Sequence, residues 1–189
     1  MSTRATYQFT SMDHPRVTFY IHHDGYREGA ASYFYQMHHC ENHRGGLADK
    51  FFRSNSGAEF TGGHEAHGDT EYRYDCDGRG MLNVKTRVGS WAEPTWETID
   101  IIPYWQFCNK YLKLPPEDQL QVVPGITYSD GVPVVRTITE QRLLITEACE
   151  KLLSYSNKFP DHVGNIEGIK SDIERLKQQL FNMEKKQAA

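Results

Sequence analysis

No stretch of this 189-residue chain approaches the roughly 18 consecutive apolar residues that a membrane span needs. Met1 to Thr10 also lacks the apolar run of a signal peptide, so the cytoplasm is the expected compartment and a membrane is not an expected partner. The cysteines are few and scattered: Cys40, Cys76, Cys108 and Cys149 form no Cys-x2-Cys pair, which excludes a zinc ribbon and a dithiol redox motif. Free, mostly buried thiols are expected. Neither charge sign dominates. With 21 Lys and Arg against 25 Asp and Glu, the net charge of −4 gives no general attraction to phosphate backbones, and nucleic acid is an unlikely partner. Ser32 and Ser90 lie in no Gly-x-Ser-x-Gly elbow, and Gly62-Gly63 is not followed by the Gly-Lys-Ser/Thr of a phosphate loop. There is no internal repeat.

Aromatic residues, by contrast, are abundant, with 11 Tyr and 9 Phe, most of them before Leu114, enough to build a real core there. Alternation over Thr3 to Phe9 and Val17 to His23 predicts a hairpin across Ser11 to Pro15. Val17, Phe19, Ile21 and His23 then share one face, and Thr18, Tyr20, His22 and Asp24 the other. Asp24-Gly25 ends the second strand, and a helix follows from about Glu28 toward Gly45-Gly46. Leu47 to Arg53 reads as a short helix, and glycine-rich Ser54 to Gly68 as a surface loop. Thr70 to Asp75 and Met81 to Val88 form a second hairpin around Asp77-Gly78-Arg79-Gly80. Trp96 to Ile102 adds a strand, and Pro103 opens a helix through Leu112. The expected fold is α+β, a small mainly antiparallel sheet with packed helices followed by a C-terminal helical arm. The expected divisions are residues 1–115, a strap or hairpin over 116–136, and the arm over 137–189.

The arm carries the clearest periodicity. Thr137 to Glu140 has the form of a capping box opening a helix to about Ser156. Beyond it, Ile166, Ile169, Ile173, Leu176, Leu180 and Met183 follow steps of three and four, an a/d seam of coiled-coil type. Such a seam needs a partner, either the preceding helix of the same chain or a second subunit in a homo-oligomer.

Eight of nine histidines fall between His14 and His67. Imidazoles and carboxylates converging on Zn or Mn would activate water, and His22, Asp24, His64, His67 and Asp69 are the candidate ligands for a hydrolase or phosphodiesterase. The His64 to His67 spacing misses the His-Glu-x2-His pattern by one position, and helix-end histidines such as His38, His39 and His43 also suit the dipole there. Cys40 beside His39 and His43 is a weaker nucleophile candidate. A ligand pocket is the alternative reading. His22, Asp24, Gly25, Tyr26, Arg27 and Arg53 would gather around a helix N-terminus fit for an anion, with Tyr72 and Tyr74, joined by Trp91 and Trp96, offering rings to stack on a base. Those aromatics serve equally as core of a Tyr-rich sheet.

Tyr20-Ile21-His22-His23-Asp24-Gly25-Tyr26-Arg27-Glu28-Gly29 resembles a strand-turn-helix motif, His-Trp-Asp-Gly-Tyr-Pro-Glu, of short bacteriophage and prophage proteins. His23 stands for the Trp and Arg27 for the Pro. Thr3 to Tyr7 and Gly68 to Tyr74 are similar to that family as well, while the arm lies outside the likeness. The resemblance implies a noncatalytic accessory protein in the cytoplasm of a bacterial host, binding a host protein or a small nucleotide-like signal and counteracting host defence. No cofactor is expected on that reading. An oligomeric structural or assembly protein, dominated by the arm, is the third expectation.

Overall fold

The structure is a computed structural model that describes residues 3–11, 15–40, 46–127 and 133–188. The chain divides into two compact units, Met1–Lys113 and Leu114–Ala189. The fold class is the α+β arrangement expected from sequence, with a mixed, mainly antiparallel sheet. Residues 12–14 of the predicted Ser11 to Pro15 turn, and His43, lie outside the described residues, while the helix expected to run toward Gly45-Gly46 ends earlier, at His38, with His39 as its C-cap.

In the first unit, β1 (Ala5–Thr10), β2 (Val17–Ile21), β3 (Glu59–Thr61), β4 (Tyr72–Asp77), β5 (Met81–Gly89) and β6 (Pro94–Pro103) form one sheet in the order β3-β2-β1-β4-β5-β6. Only β1 and β4 run parallel. Because side chains alternate along a strand, Ala5, Tyr7 and Phe9 share a face with Phe19 and Ile21 of β2, Tyr74 and Cys76 of β4, and Leu82 and Val84 of β5. Three helices, α1 (Arg27–His38), α2 (Leu47–Ser54) and α3 (Tyr104–Leu112), cover that face with Phe34 and Met37, Phe51, and Phe107 respectively. Tyr7 is the hub, stacked on Tyr74 at 4.9 Å, 4.9 Å from Phe51 and edge-on to Phe34 at 6.0 Å. Each such fully buried ring contributes roughly 1.5–3 kcal/mol.

The chain reverses at Asp24-Gly25, and α1 begins at Arg27 with Tyr26 as N-cap. One backbone angle and two hydrogen bonds fix this turn. Asp24 takes φ of 52°, the Gly25 N–H donates to the Thr3 carbonyl at 2.9 Å, and the buried Tyr74 hydroxyl donates to the Gly25 carbonyl at 2.9 Å. Tyr74→Phe keeps the ring and strips the turn of that donor. Urea unfolding should then show a loss of about 1–2 kcal/mol, since a buried carbonyl is left without its partner.

β6 departs from plain alternation. Val84 pairs with Asp100 but Lys85 pairs with Thr98, so Ile99 is an extra residue, a bulge. Asp100 consequently stands on the helix face, bound to Lys110 and Tyr111 of α3 at 2.6 and 2.7 Å, whereas Thr98 and Trp96 stand on the other.

The predicted loop 54–68 holds two short elements, the edge strand β3 and a 3-10 turn at His64–Ala66. In the second unit, β7 (Gln121–Thr127) and β8 (Pro133–Arg136) pair antiparallel, and α4 (Ile138–Lys158) and α5 (Val163–Gln187) form a helical hairpin. The Thr137–Glu140 capping box is present with both hydrogen bonds, 3.0 and 2.7 Å. The a/d seam of α5 packs along α4 of the same chain. Ile173 and Met183 are buried there, and Ile166, Ile169, Leu176 and Leu180 are half-covered. Met183 joins Val123, Val134 and Ile138 in a small core.

Candidate functional site: the strapped open face of the sheet

Opposite the helices the sheet presents polar side chains, because the even positions of β1 and β2 and the odd positions of β4 and β5 carry Thr6, Gln8, Thr18, Tyr20, Arg73, Asp75, Lys85 and Arg87. A strap, residues 62–70, is fastened across this face by side chains on both partners. His64 is held from both ring nitrogens: Nε2 lies 2.7 Å from Asp75 Oδ1, and Nδ1 lies 2.7 Å from Thr6 Oγ1. An ionised carboxylate only accepts, so Nε2 carries the proton, and in the neutral ring Nδ1 accepts from the Thr6 hydroxyl. Lys85 Nζ binds the other Asp75 oxygen at 3.0 Å. Burial works against the Asp75 charge, but the hydrogen bonds from His64 and Lys85 outweigh it and hold the carboxyl below its ordinary range.

The remaining fastenings follow the same pattern. Arg73 grips Glu65 through both terminal nitrogens at 2.7 and 2.9 Å, and that grip lowers the Glu65 carboxyl. His67 stacks face to face on Tyr20, 3.7 Å between centroids. Asp69 accepts from Arg4 at 2.6 Å and from Tyr20 at 3.2 Å. Arg87 donates to the Gly68 carbonyl.

Carboxylate, imidazole and hydroxyl in a row are the order of a hydrolytic triad. Here the hydroxyl cannot serve, since Thr6 is 0% exposed at the centre of the sheet and its oxygen is occupied by His64. The same holds for the other buried groups: burial pushes the Cys76 and Cys108 thiols and the Tyr7 and Tyr74 phenols up, away from their ionised, nucleophilic forms. All four cysteines are free, two buried and two half-buried.

A second group of side chains on this face is aromatic and cationic. The Arg73 guanidinium lies 3.9 Å from the Trp96 ring centroid, and the Arg87 guanidinium lies 4.0 Å from Trp91 and 5.5 Å from Trp96. Nε and Nη1 of Arg87 are buried without a hydrogen-bond partner. Trp91, at the tip of the β5–β6 hairpin, is 62% exposed.

The residues expected from sequence are placed as follows. Tyr74 is buried in the helix-side core and bonded to Gly25, so it offers no ring to a ligand. Arg27 leans on the Tyr111 ring at 5.4 Å, Arg53 pairs with Asp49 of its own helix, and Tyr72 stacks 6.2 Å from Tyr74. Gly25 is packed so tightly on Ala5 that a Cβ would stand 2.7 Å from that residue's own. Asp24 and Tyr26 are exposed at the turn, where Asp24's carbonyl sits against the first turn of α1. Of the five candidate metal ligands, His22 lies 3.4 Å from Glu59, His64 is the Asp75 latch, and His67 and Asp69 are gathered around Tyr20. Among the described residues, no three of the five bring ligand atoms within 4.8 Å of one another.

Sequence reasoning picked His64, His67, Asp69, Trp91 and Trp96 but passed over Arg73, Asp75, Lys85 and Arg87. The signal for these was the two-residue alternation of Thr70 to Asp75 and Met81 to Val88, which puts all four on one face.

Among the described residues, no helix is long and apolar enough to cross a membrane. Comparison with protein-family models, with curated proteins and with solved structures finds no match to this chain.

Proposed function

We propose that the chain is a noncatalytic binding protein whose open sheet face receives a small anionic ligand bearing a planar ring, of nucleotide type. One observation carries this reading: Arg87, between two tryptophans, has no carboxylate partner among the described residues and keeps two guanidinium nitrogens unbonded there. Arg4, Arg73 and Lys85 on the same face are each neutralised by an acid. Unbonded guanidinium N–H groups donate strong, charge-assisted hydrogen bonds to phosphate, and an exposed indole is a platform for a base. Trp91 stands at the hairpin tip after Gly89, at φ of 83°, and Ser90, with its ring over the Arg87 guanidinium. The role as a phage or prophage accessory protein, acting on a host signal, is supported by the resemblance around His22 to Gly29.

Two of the three tryptophans flank Arg87, so intrinsic fluorescence reports the site directly. Titration with a panel of mono-, di- and cyclic nucleotides should quench it with 1:1 stoichiometry for at least one of them. Arg87→Gln and Trp91→Ala should each weaken that binding by about 10- to 100-fold, the worth of one charge-assisted bond or one stacked ring, without lowering thermal stability by more than a degree or two. No response across the panel, with a host protein captured through Trp91 instead, overturns the small-ligand reading. Turnover of the nucleotide overturns the noncatalytic one.

A further inference from the structure

The three acids that neutralise cations on the open face are not equally committed to them. Asp75 is shared between Lys85 and His64, and Asp69 between Arg4 and Tyr20. Glu65 is different. Among the described residues its carboxylate is bonded to Arg73 alone, and its side chain is 85% exposed where that of Arg73 is 10% exposed. The guanidinium is thus a fixed part of the sheet, and the carboxylate is an outer cap on it.

What fixes Arg73 does not involve Glu65. The residue lies within β4, its guanidinium rests on the Trp96 ring, and its Nε is buried without a partner. The two terminal nitrogens are the ones turned to the capping acid. A cation so enclosed needs an anion beside it, because a charge taken out of water and left unpaired is costly. The strap needs Glu65 much less. Glu65 belongs to the 3-10 turn His64–Ala66, which His64 anchors to Thr6 and Asp75, and an ion pair with so exposed a partner contributes little. Exchange of the carboxylate for another anion keeps Arg73 satisfied and leaves the His64 latch closed.

Arg87 stands next to this position. Arg73 pairs with Lys85, two residues before Arg87 on the same face of β5, and both guanidiniums lie within 5.5 Å of the Trp96 centroid. Such diagonal neighbours on adjacent strands are about 7–8 Å apart, a span that two linked phosphate groups cover and a single one does not.

Resting on the reading of this face as an anion site, we infer that Glu65 holds the place of a phosphate and that the ligand is a diphosphate, free or carried by a nucleoside. One phosphate group takes both terminal nitrogens of Arg73 in place of the Glu65 carboxylate, and the second reaches Arg87. Carboxylate and phosphate present the same pair of oxygens to a guanidinium, and the phosphate brings more charge.

The test is titration of the tryptophan fluorescence of the full chain with inorganic pyrophosphate, orthophosphate and a nucleoside diphosphate, in wild type and in Glu65→Gln. Removing the resident charge should tighten pyrophosphate at least about 5-fold, the worth of an exposed ion pair. Orthophosphate should bind at least about 10-fold more weakly than pyrophosphate, the worth of one charge-assisted contact. Adding Arg73→Lys to Glu65→Gln should undo the gain, since lysine keeps the charge and loses the paired donors. Circular dichroism checks that the variants stay folded. Pyrophosphate affinity indifferent to Glu65→Gln, or no response in either protein, overturns the inference, and equal binding of the two inorganic anions overturns the diphosphate class. The two readings fail separately. A nucleoside diphosphate that binds without regard to Glu65→Gln removes this inference and keeps the nucleotide site, whereas one that binds no tighter than pyrophosphate removes the ring and keeps the Glu65 exchange.

Discussion

Replacing Gly29 by alanine is expected to cost the N-terminal unit about 3 kcal/mol or more, a large share of the roughly 5–15 kcal/mol that holds a typical domain folded. The reason is a close approach of backbone to backbone. Asp24, held at φ of 52°, turns its carbonyl over the first turn of α1, and a Cβ on Gly29 would stand 2.0 Å from that oxygen and 2.8 Å from the Asp24 carbonyl carbon. Nothing flexible can yield, because the same turn is tied to β1 through Thr3 and to β4 through Tyr74. The measurement is chemical unfolding followed by near-UV circular dichroism, which reads the packed tyrosines. Gly57→Ala is the control: no atom lies within 4 Å of its Cβ position and its backbone is ordinary, so that change should be neutral or stabilising by about 0.4–1 kcal/mol. Equal effects at the two positions would show that the turn is not the constraint described.

The second large effect is expected at the His64 latch. His64→Ala leaves the Thr6 hydroxyl buried without a partner and takes from Asp75 one of its two hydrogen bonds, a loss of roughly 2–3 kcal/mol. Asp75→Asn keeps the volume and removes the charge, and its signature is in the pH dependence. The Asp75 carboxyl sits below its unfolded value in the folded chain. Its contribution is therefore fully present above about pH 4, the ordinary range of an unfolded aspartate, and is lost as pH falls through the lower folded value. Wild type should thus lose thermal stability on acidification over that window, and Asp75→Asn should start lower and fall less steeply. Hydrogen exchange offers an independent readout: amides of residues 62–70 should lose protection in His64→Ala while those of Tyr7 and Tyr74 keep theirs. A strap that stays protected without the imidazole would mean that Arg73–Glu65 and Tyr20–His67 alone fasten it.

Both effects bear on the proposed ligand site, since the strap and Arg87 are joined through the Gly68 carbonyl. Releasing the strap should free that guanidinium for an anion, so nucleotide affinity in His64→Ala should not fall in step with stability. Arg87→Gln should show the reverse.

Much of the architecture was legible in the residues because local signals agreed with the final packing. The alternation of Ala5, Tyr7 and Phe9, the Asp24-Gly25 stop, the Thr137–Glu140 box and the three-four steps of α5 each describe interactions within a few residues, and each stands where expected. Pro103 shows the limit of such reading: it caps α3 rather than opening it, a difference of one position. The ligand pocket around the α1 N-terminus was drawn from chain proximity, which does not say which face of the sheet a side chain joins. Tyr74 went to the core and Arg53 to its own helix for that reason.

Sequence by itself determined the order of the longer elements, though not the short edge strand β3, the polar and apolar faces of β1, β2, β4 and β5, and the split between an aromatic-rich unit and a helical arm, because these follow from periodicity and from backbone preferences at Gly, Pro and capping residues. Only the tertiary structure decided what crosses between distant segments. It placed β4 beside β1, laid the strap over Thr6 and Asp75, turned Trp96 to the open face through the extra residue Ile99, and gave the α5 seam to α4. Those outcomes depend on burial and pairing summed over the whole sheet, and no single stretch of the chain encodes them.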